Sequence, residues 1–364
     1  MFSIINKKAG ALILAAGFLV FQSCNKEFED IDPVVKPDIT TTVGSIIETD
    51  ASFSIFKSAV TKTGLLPLLN NPDATITLFA VDDAAFAASG LSQAIVDGLP
   101  VAQLAAILRY HIIPQTLPSS VITAVMPPVQ MPTLLPLDPT NPFVKMNIHL
   151  SKIGTTVYAN NIPVKQADIL AGNGVIHKTF AVVMPPSVLL SNLIYDDPQF
   201  SIFEAAIKRA SQGSTGLSSI DFLLQYAVVN LTVFAPTNDA MKQVVSALSG
   251  GMVPVAAPEQ VFIDFINNFV PVQDAAGIVA YHILPARNYA HNFPTTATWI
   301  PTVLNGAIPT HPGIQVQSTF TGPFATALTV MGVGNGGIAS NVTPLDQNAV
   351  NGVVQVIDRV LLPQ

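Results

Sequence analysis

A single cysteine, Cys24, serves all 364 residues. It can form no intramolecular disulfide, and a Cys/His zinc cluster is out of reach. Charge is scarce as well: Asp, Glu, Lys and Arg make up 11% of the chain, against about 25% in an ordinary soluble domain. The charge that exists is acidic, 16 Lys and Arg against 23 Asp and Glu, for a net −7. No basic block is present to track a phosphate backbone, so no nucleic-acid partner is expected. The chain also lacks G-x-S-x-G, H-E-x-x-H, a Walker loop and a calcium-loop pattern. No catalytic residue, metal set or cofactor is therefore expected, and the protein is read as a non-enzyme. Gly332, Gly334 and Gly337 do match G-x-G-x-x-G. A dinucleotide loop must open a helix, whereas Ile338 to Pro344 reads as strand and turn. What the chain does hold is 49% hydrophobic residues, too many for disorder. Its length suits two domains of roughly 150 residues, each able to bury a core.

The N-terminus reads as a targeting signal. Lys7 and Lys8 precede an apolar run from Ala9 to Phe21, too short for a hydrocarbon core of about 30 Å. The run ends at Phe21-Gln22-Ser23-Cys24. This is similar to a bacterial lipoprotein signal, in which the cysteine is lipidated and becomes the mature N-terminus. Phe21 stands where Leu is usual, and an ordinary secretory signal is the other reading. Residues 1–23 carry two Lys and no acid, so cleavage takes the net charge from −7 to −9. Residues 24–39 then form an acidic flexible tether (Glu27, Glu29, Asp30, Asp32), which resembles the surface-export signal of Bacteroidota lipoproteins. The expected address is the outer membrane, lipid-anchored and surface-exposed.

The remainder is a duplication. Phe53-Ser54-Ile55-Phe56 recurs as Phe200-Ser201-Ile202-Phe203, and Thr77-Leu78-Phe79-Ala80 as Thr232-Val233-Phe234-Ala235. Tyr110-His111-Ile112 recurs as Tyr281-His282-Ile283; Asp168 and Asn173-Gly174-Val175 recur as Asp346 and Asn351-Gly352-Val353. The order is kept while the offset grows, which places repeats at 40–186 and 187–364. Each repeat opens with an amphipathic helix carrying Ile55, Phe56, Ala59 and Val60, or Phe200 to Ala210 in the copy. A short apolar strand follows, Ala74–Ala80 or Tyr226–Ala235. Asp82 or Thr237 can then cap the next helix. A helix ending at the Tyr-His pair stops before Pro114 or Pro285. The rest reads as strands and turns, closing with Gly174–Met184 or Gly352–Leu362. Helices come early and strands late, which predicts α+β.

These boxes carry a resemblance. Thr232-Val233-Phe234-Ala235-Pro236-Thr237-Asn238, Tyr281-His282-Ile283-Leu284-Pro285 and Asn351-Gly352-Val353 resemble the boxes of fasciclin domains. The first repeat departs with Val81-Asp82-Asp83 for Pro-Thr-Asn, and the second has Gln355 where the first has His177. The resemblance implies two tandem domains, each a wedge or sandwich of β-sheets with a small helical bundle, and a role in adhesion. It also marks Tyr110, His111, Tyr281 and His282 as candidate contact residues. The other reading of both histidines is a packed residue in a last helical turn.

Two stretches stand apart from the repeat. Met126 to Pro142 holds six prolines among Met, Val and Leu and reads as an extended, preordered loop. Residues 288–345 contain no Asp, Glu, Lys or Arg and include Tyr289 and the only tryptophan, Trp299. Trp299 is a candidate for stacking on a sugar ring. The expected partners are a membrane, through the lipid, and extracellular matrix, a cell-surface protein or a polysaccharide. The alternative is a carbohydrate-capture accessory to an outer-membrane glycan uptake system.

Overall fold

The computed structural model describes residues 40–364. The leader, Cys24 and the acidic tether lie outside the described residues. Repeat one opens with α1 (Val43–Thr49), α2 (Ser54–Lys62) and α3 (Leu66–Leu69), followed by β1 (Ile76–Val81). Next come α4 (Asp83–Ala88), α5 (Gln93–Gly98) and α6 (Val101–Tyr110). The strands β2 (Ile112–Ile113), β3 (Val129–Asp138), β4 (Asn141–Ile153), β5 (Thr156–Ala159), β6 (Ile162–Ala171) and β7 (Gly174–Thr179) complete it. Repeat two follows with α7 (Leu190–Tyr195), α8 (Ser201–Ala210), α9 (Ile220–Gln225), β8 (Leu231–Pro236), α10 (Asn238–Leu248), α11 (Glu259–Phe269) and α12 (Val272–Tyr281). It ends with β9 (Ile283–Leu284), β10 (Thr298–Ile300), β11 (Ile314–Thr321), β12 (Phe324–Met331), β13 (Ser340–Asn341), β14 (Gln347–Ala349) and β15 (Gly352–Ile357). The fold is α+β.

The early strand of each repeat is its spine. β1 pairs antiparallel with β2 and parallel with β7, from Ile76 opposite Gly174 to Val81 opposite Thr179. β8 makes the same parallel pair with β15. All six residues of β1 and of β8 are buried, because both faces are covered. Successive side chains take opposite faces. Leu78 joins the helical core with Phe56 and Ile176, while Phe79 joins a second core with Tyr110, Ile148 and Val157. Val233 and Phe234 divide the same way in repeat two. Helices thus cover one face of the spine sheet and the remaining strands fold over the other, giving a wedge.

The repeats differ where a proline intrudes. In repeat one a single sheet runs β2-β1-β7-β6-β5-β4-β3. β6 bends through register shifts on both sides of Gln166, with Asp168 at a left-handed φ of 60°. Repeat two has two sheets, β14-β15-β8-β9 and β10-β11-β12-β13. Pro344 there takes the place of Gln166, and a residue without an N–H cannot hold the ladder. The strand splits into β13 and β14.

Three expectations are corrected. The closing strands end at Thr179 and Ile357 rather than running to Met184 and Leu362. The segment before Leu231 is helical over Ile220–Gln225, so the early strand of repeat two begins at Leu231 rather than Tyr226. The proline-rich stretch is a β-hairpin rather than a loop: β3 is an edge strand, and Pro132 and Pro136 sit at its register irregularities. An edge strand tolerates prolines because half its backbone has no ladder partner.

Candidate functional site

The shared boxes are spent on the fold. His111 is the C-cap of α6, fully buried. Its Nδ1 lies 2.8 Å from the Ile107 carbonyl, and its Nε2 accepts the Val183 N–H at 3.0 Å. His282 repeats this with the Ile278 carbonyl at 2.8 Å and the Leu361 N–H at 2.9 Å. Burial holds both imidazoles down to about 4, so each is neutral with its proton on Nδ1. The Tyr110 hydroxyl donates to the Asn147 carbonyl at 3.0 Å and accepts from Asn160. The Tyr281 hydroxyl donates to the Gly313 carbonyl and accepts the Val333 N–H. None of the four has exposed surface. The contact role that the resemblance implies for Tyr110, His111, Tyr281 and His282 therefore has no surface in this fold: they fasten the last helix to the sheets.

The other boxes are clamps of the same kind. Asn173 Oδ1 accepts the Val43 N–H at 2.8 Å while Nδ2 donates to the Leu69 and Asn71 carbonyls. Asn351 does this for Leu190, Leu224 and Tyr226. Gly174 and Gly352 follow because a Cβ there would stand 2.0 Å from the Ile76 carbonyl oxygen or 2.3 Å from that of Leu231. Asp168 and Asp346 reach back to the Ser119 and Ala290 N–H groups, each at 2.7 Å. His177 Nδ1 accepts the Asp168 N–H, and Gln355 Oε1 accepts that of Asp346. Each side chain also donates, His177 Nε2 to the Leu117 carbonyl and Gln355 Nε2 to Asp346 Oδ1, so an amide can replace the imidazole as acceptor and donor together.

Chemistry that the repeats do not share gathers where they meet. The Tyr158 ring of β5 stacks on His291 at 4.0 Å and 11°, with Tyr289 stacked at 5.8 Å on His291. Ser151 Oγ lies 2.9 Å from His291 Nε2, Asn292 donates to the Val125 carbonyl, and the Tyr158 hydroxyl donates to that of Pro323. Phe180 meets Phe324 edge-on at 5.2 Å. Arg287 is buried beneath this junction. Its donors go to Asn230 and Asn348 side chains, the Tyr289 hydroxyl and the Ala349 and Val350 carbonyls. No carboxylate is among them. His149 lies beside Tyr289, buried, with neither ring nitrogen hydrogen-bonded. Burial, and after it the Arg287 cation, pushes the His149 imidazole well below its ordinary range. Burial holds His291 down to about 3. Sequence reasoning passed over His149, Tyr158, Arg287 and His291. The contacts join residues 140 or more apart, as Ser151 to His291 and Tyr158 to Pro323, and carry no local pattern. Among the described residues, no group of three or more His, Cys, Asp or Glu is placed to hold a metal ion.

Three surfaces remain open. Trp299, 39% exposed, lies opposite Gln315 on β11, which lies opposite Met331 on β12. Gln317 continues this outer face. The β3–β4 hairpin carries Phe143 near its tip, 91% exposed. A groove of about 640 Å³ in repeat two is lined by Phe265, Phe269, Ile278, Leu304, Ile308 and Leu362, among others.

The profile of the fasciclin domain matches residues 51–185 and 198–363. The chain is 30% identical over 194 residues to transforming growth factor-beta-induced protein ig-h3 of Sus scrofa, covering 52% of this chain and 26% of that one. It thus spans about a quarter of that relative's length. It is also similar to the FAS1 domain pair of the insect cell adhesion molecule fasciclin I, at 18% identity and a TM-score of 0.36, covering 85% of this chain and 97% of that one.

Proposed function

The chain belongs to the fasciclin domain family, and from that premise we propose that it is a lipid-anchored adhesion protein of the bacterial outer membrane, presenting two fasciclin modules to matrix, cells or glycans without catalysing a reaction. Fasciclin domains are associated with adhesion and binding. The observation that carries the reading is the junction: stacked Tyr158 and His291, with hydrogen bonds from Ser151, Asn292 and Tyr158 across it, tie the modules together. Two modules on one tether present their contacts together, so weak contacts add. Acylated Cys24 would hold the pair at a membrane leaflet, and residues 25–39 would space it from the lipid. A single acyl chain gives only reversible anchoring, so a lipoprotein's several chains suit this role. Among the described residues no helix is long and apolar enough to cross a membrane.

The test is protease digestion of intact cells expressing the wild type or Cys24→Ala, followed by binding of surface-bound protein to matrix proteins, cells and polysaccharides. Digestion of wild type from outside, with binding above a control lipoprotein, is expected. Protection until the outer membrane is opened refutes the surface-adhesion reading. The glycan-capture alternative is favoured by the half-exposed Trp299 beside Gln315. Trp299→Ala should then abolish polysaccharide retention while leaving the melting temperature unchanged.

A further inference from the structure

We propose that the cleft between the repeats is a binding site for the carboxylate of a sugar-sized acid. This does not rest on the adhesion reading; it stands on the cleft alone. His149 on β4 is 3% exposed, lines the cleft, and has no hydrogen-bond partner on either ring nitrogen. Buried polar atoms are nearly always satisfied by protein or ordered water, so two unpartnered nitrogens on one ring mark a place for an occupant. The Asn230 and Asn160 side chains face the ring but do not complete a hydrogen bond to it.

Volume and charge say what the occupant is. The cleft holds about 370 Å³ between Pro127, Pro128 and Gln130 of repeat one and Asn230, Pro285 and Arg287 of repeat two. An adjoining space of about 120 Å³ shares His149, Gln130 and Asn230 and adds Lys145. That size is far more than one water needs, and it falls at the lower end of small-molecule pockets. No Asp or Glu lines either space. The Arg287 donors are all taken by neutral groups, so its hydrogen bonds are complete while its charge stays uncompensated. A buried cation calls for an anion nearby. An imidazole N–H and the Asn230 amide would receive the carboxylate. The rim amide of Gln130 and the flat proline walls suit the hydroxyls and C–H faces of a sugar. The titratable groups facing His149 are Arg287, Tyr289 edge-on at 6.5 Å and Lys145. Burial first, and then the Arg287 cation, keep the ring neutral, so a bound carboxylate supplies the missing countercharge and binding takes up a proton at His149.

The experiment is titration calorimetry of the full chain with glucuronate, a glucuronate oligosaccharide and glucose, at about pH 6 in two buffers of different ionisation heat. Glucuronate should bind with net proton uptake, and glucose should not bind. His149→Gln should weaken glucuronate roughly tenfold and remove the buffer dependence. Gln130→Leu, at the exposed rim, should weaken it without altering the melting temperature, and it decides the matter if His149→Gln fails to fold. A tighter oligosaccharide assigns the site to a polymer end, and equal affinity assigns it to a free acid. Equal heats for glucuronate and glucose, or glucuronate binding indifferent to both variants, overturn the proposal: the cleft then holds water only.

Discussion

Acid should destabilise this fold well above the pH at which carboxylates protonate, and the duplicated Tyr-His boxes set the amount. His111 and His282 are held from an ordinary 6.5 down to about 4 by burial. The unfolded chain therefore binds these protons more tightly than the folded one. Stability is complete above about pH 6.5, falls as the pH drops toward about 4, and falls no further below that. At about pH 5 the solution lies roughly 1.5 pH units below the unfolded value of each imidazole and still above the folded one, a difference worth about 2 kcal/mol, so the pair costs about 4 kcal/mol. Neither ring is exposed, so no discount for solvent screening applies. His291, held down to about 3, adds about 2 kcal/mol over the same range. Asp346 opposes them. Burial raises its carboxyl from 3.8 to about 6, which returns at most about 1.4 kcal/mol at about pH 5. Its side of the junction keeps some exposure, so the return is smaller.

From these four groups the loss is about 4 to 5 kcal/mol between about pH 7 and about pH 5, a large share of the roughly 5–15 kcal/mol that a domain has, and His149 and His177, also held down by burial, add to it. Urea unfolding followed by circular dichroism measures it directly. His282→Gln should be less stable at neutral pH, because the Leu361 N–H and the Ile278 carbonyl lose their bridge. It should also flatten the pH slope by about one histidine's worth, near 2 kcal/mol. A stability that changes by less than about 1 kcal/mol over this range, or a slope unaltered in His282→Gln, would refute the assignment of buried neutral imidazoles.

Asn173→Ala and Asn351→Ala each leave a buried N–H and two carbonyls without partners, and each should cost roughly 3 kcal/mol in urea unfolding. Gly174→Ala must drive a Cβ to 2.0 Å from the Ile76 carbonyl oxygen and should lower the melting temperature severely, whereas Gly322→Ala, with open space but a φ of 59°, should cost only about 1 kcal/mol. Tyr158→Ala removes the ring stacked on His291 and the bond to Pro323. Limited proteolysis between the repeats should quicken, and small-angle scattering should show a larger radius; an unchanged profile would count against the junction as the tie between modules.

Much of the fold was legible because it is local. α2 and α6 follow from the spacing of Phe56, Ala59 and Val60 and of Leu104, Ile107 and Leu108, all buried. Asp82 and Thr237 cap their helices by accepting the Ala85 and Ala240 N–H groups, as short polar side chains do. The proline-rich hairpin is not legible locally, because proline content speaks against a strand in general, while the edge position that excuses it is a property of the sheet. The end of the early helices in repeat two is hidden in the sequence because Phe222 to Val233 is apolar without a clear period, and only packing decides between helix and strand there.

The functional residues were less legible, and the duplication explains why. Residues that recur in both repeats draw attention, yet recurrence selects what every copy needs to fold. His177 and Gln355 make the point: imidazole and amide both accept an aspartate N–H at a left-handed turn, so the position answers to geometry and not to acid–base chemistry. What recurs lies inside, and a surface that touches a partner has to be sought among residues that do not recur. Trp299, Phe143, His149 and Arg287 are of that kind. The last two come from different repeats, β4 of one and the segment after β9 of the other. A cleft built from both exists only in the pair, so either repeat alone would carry every shared box and still lack it.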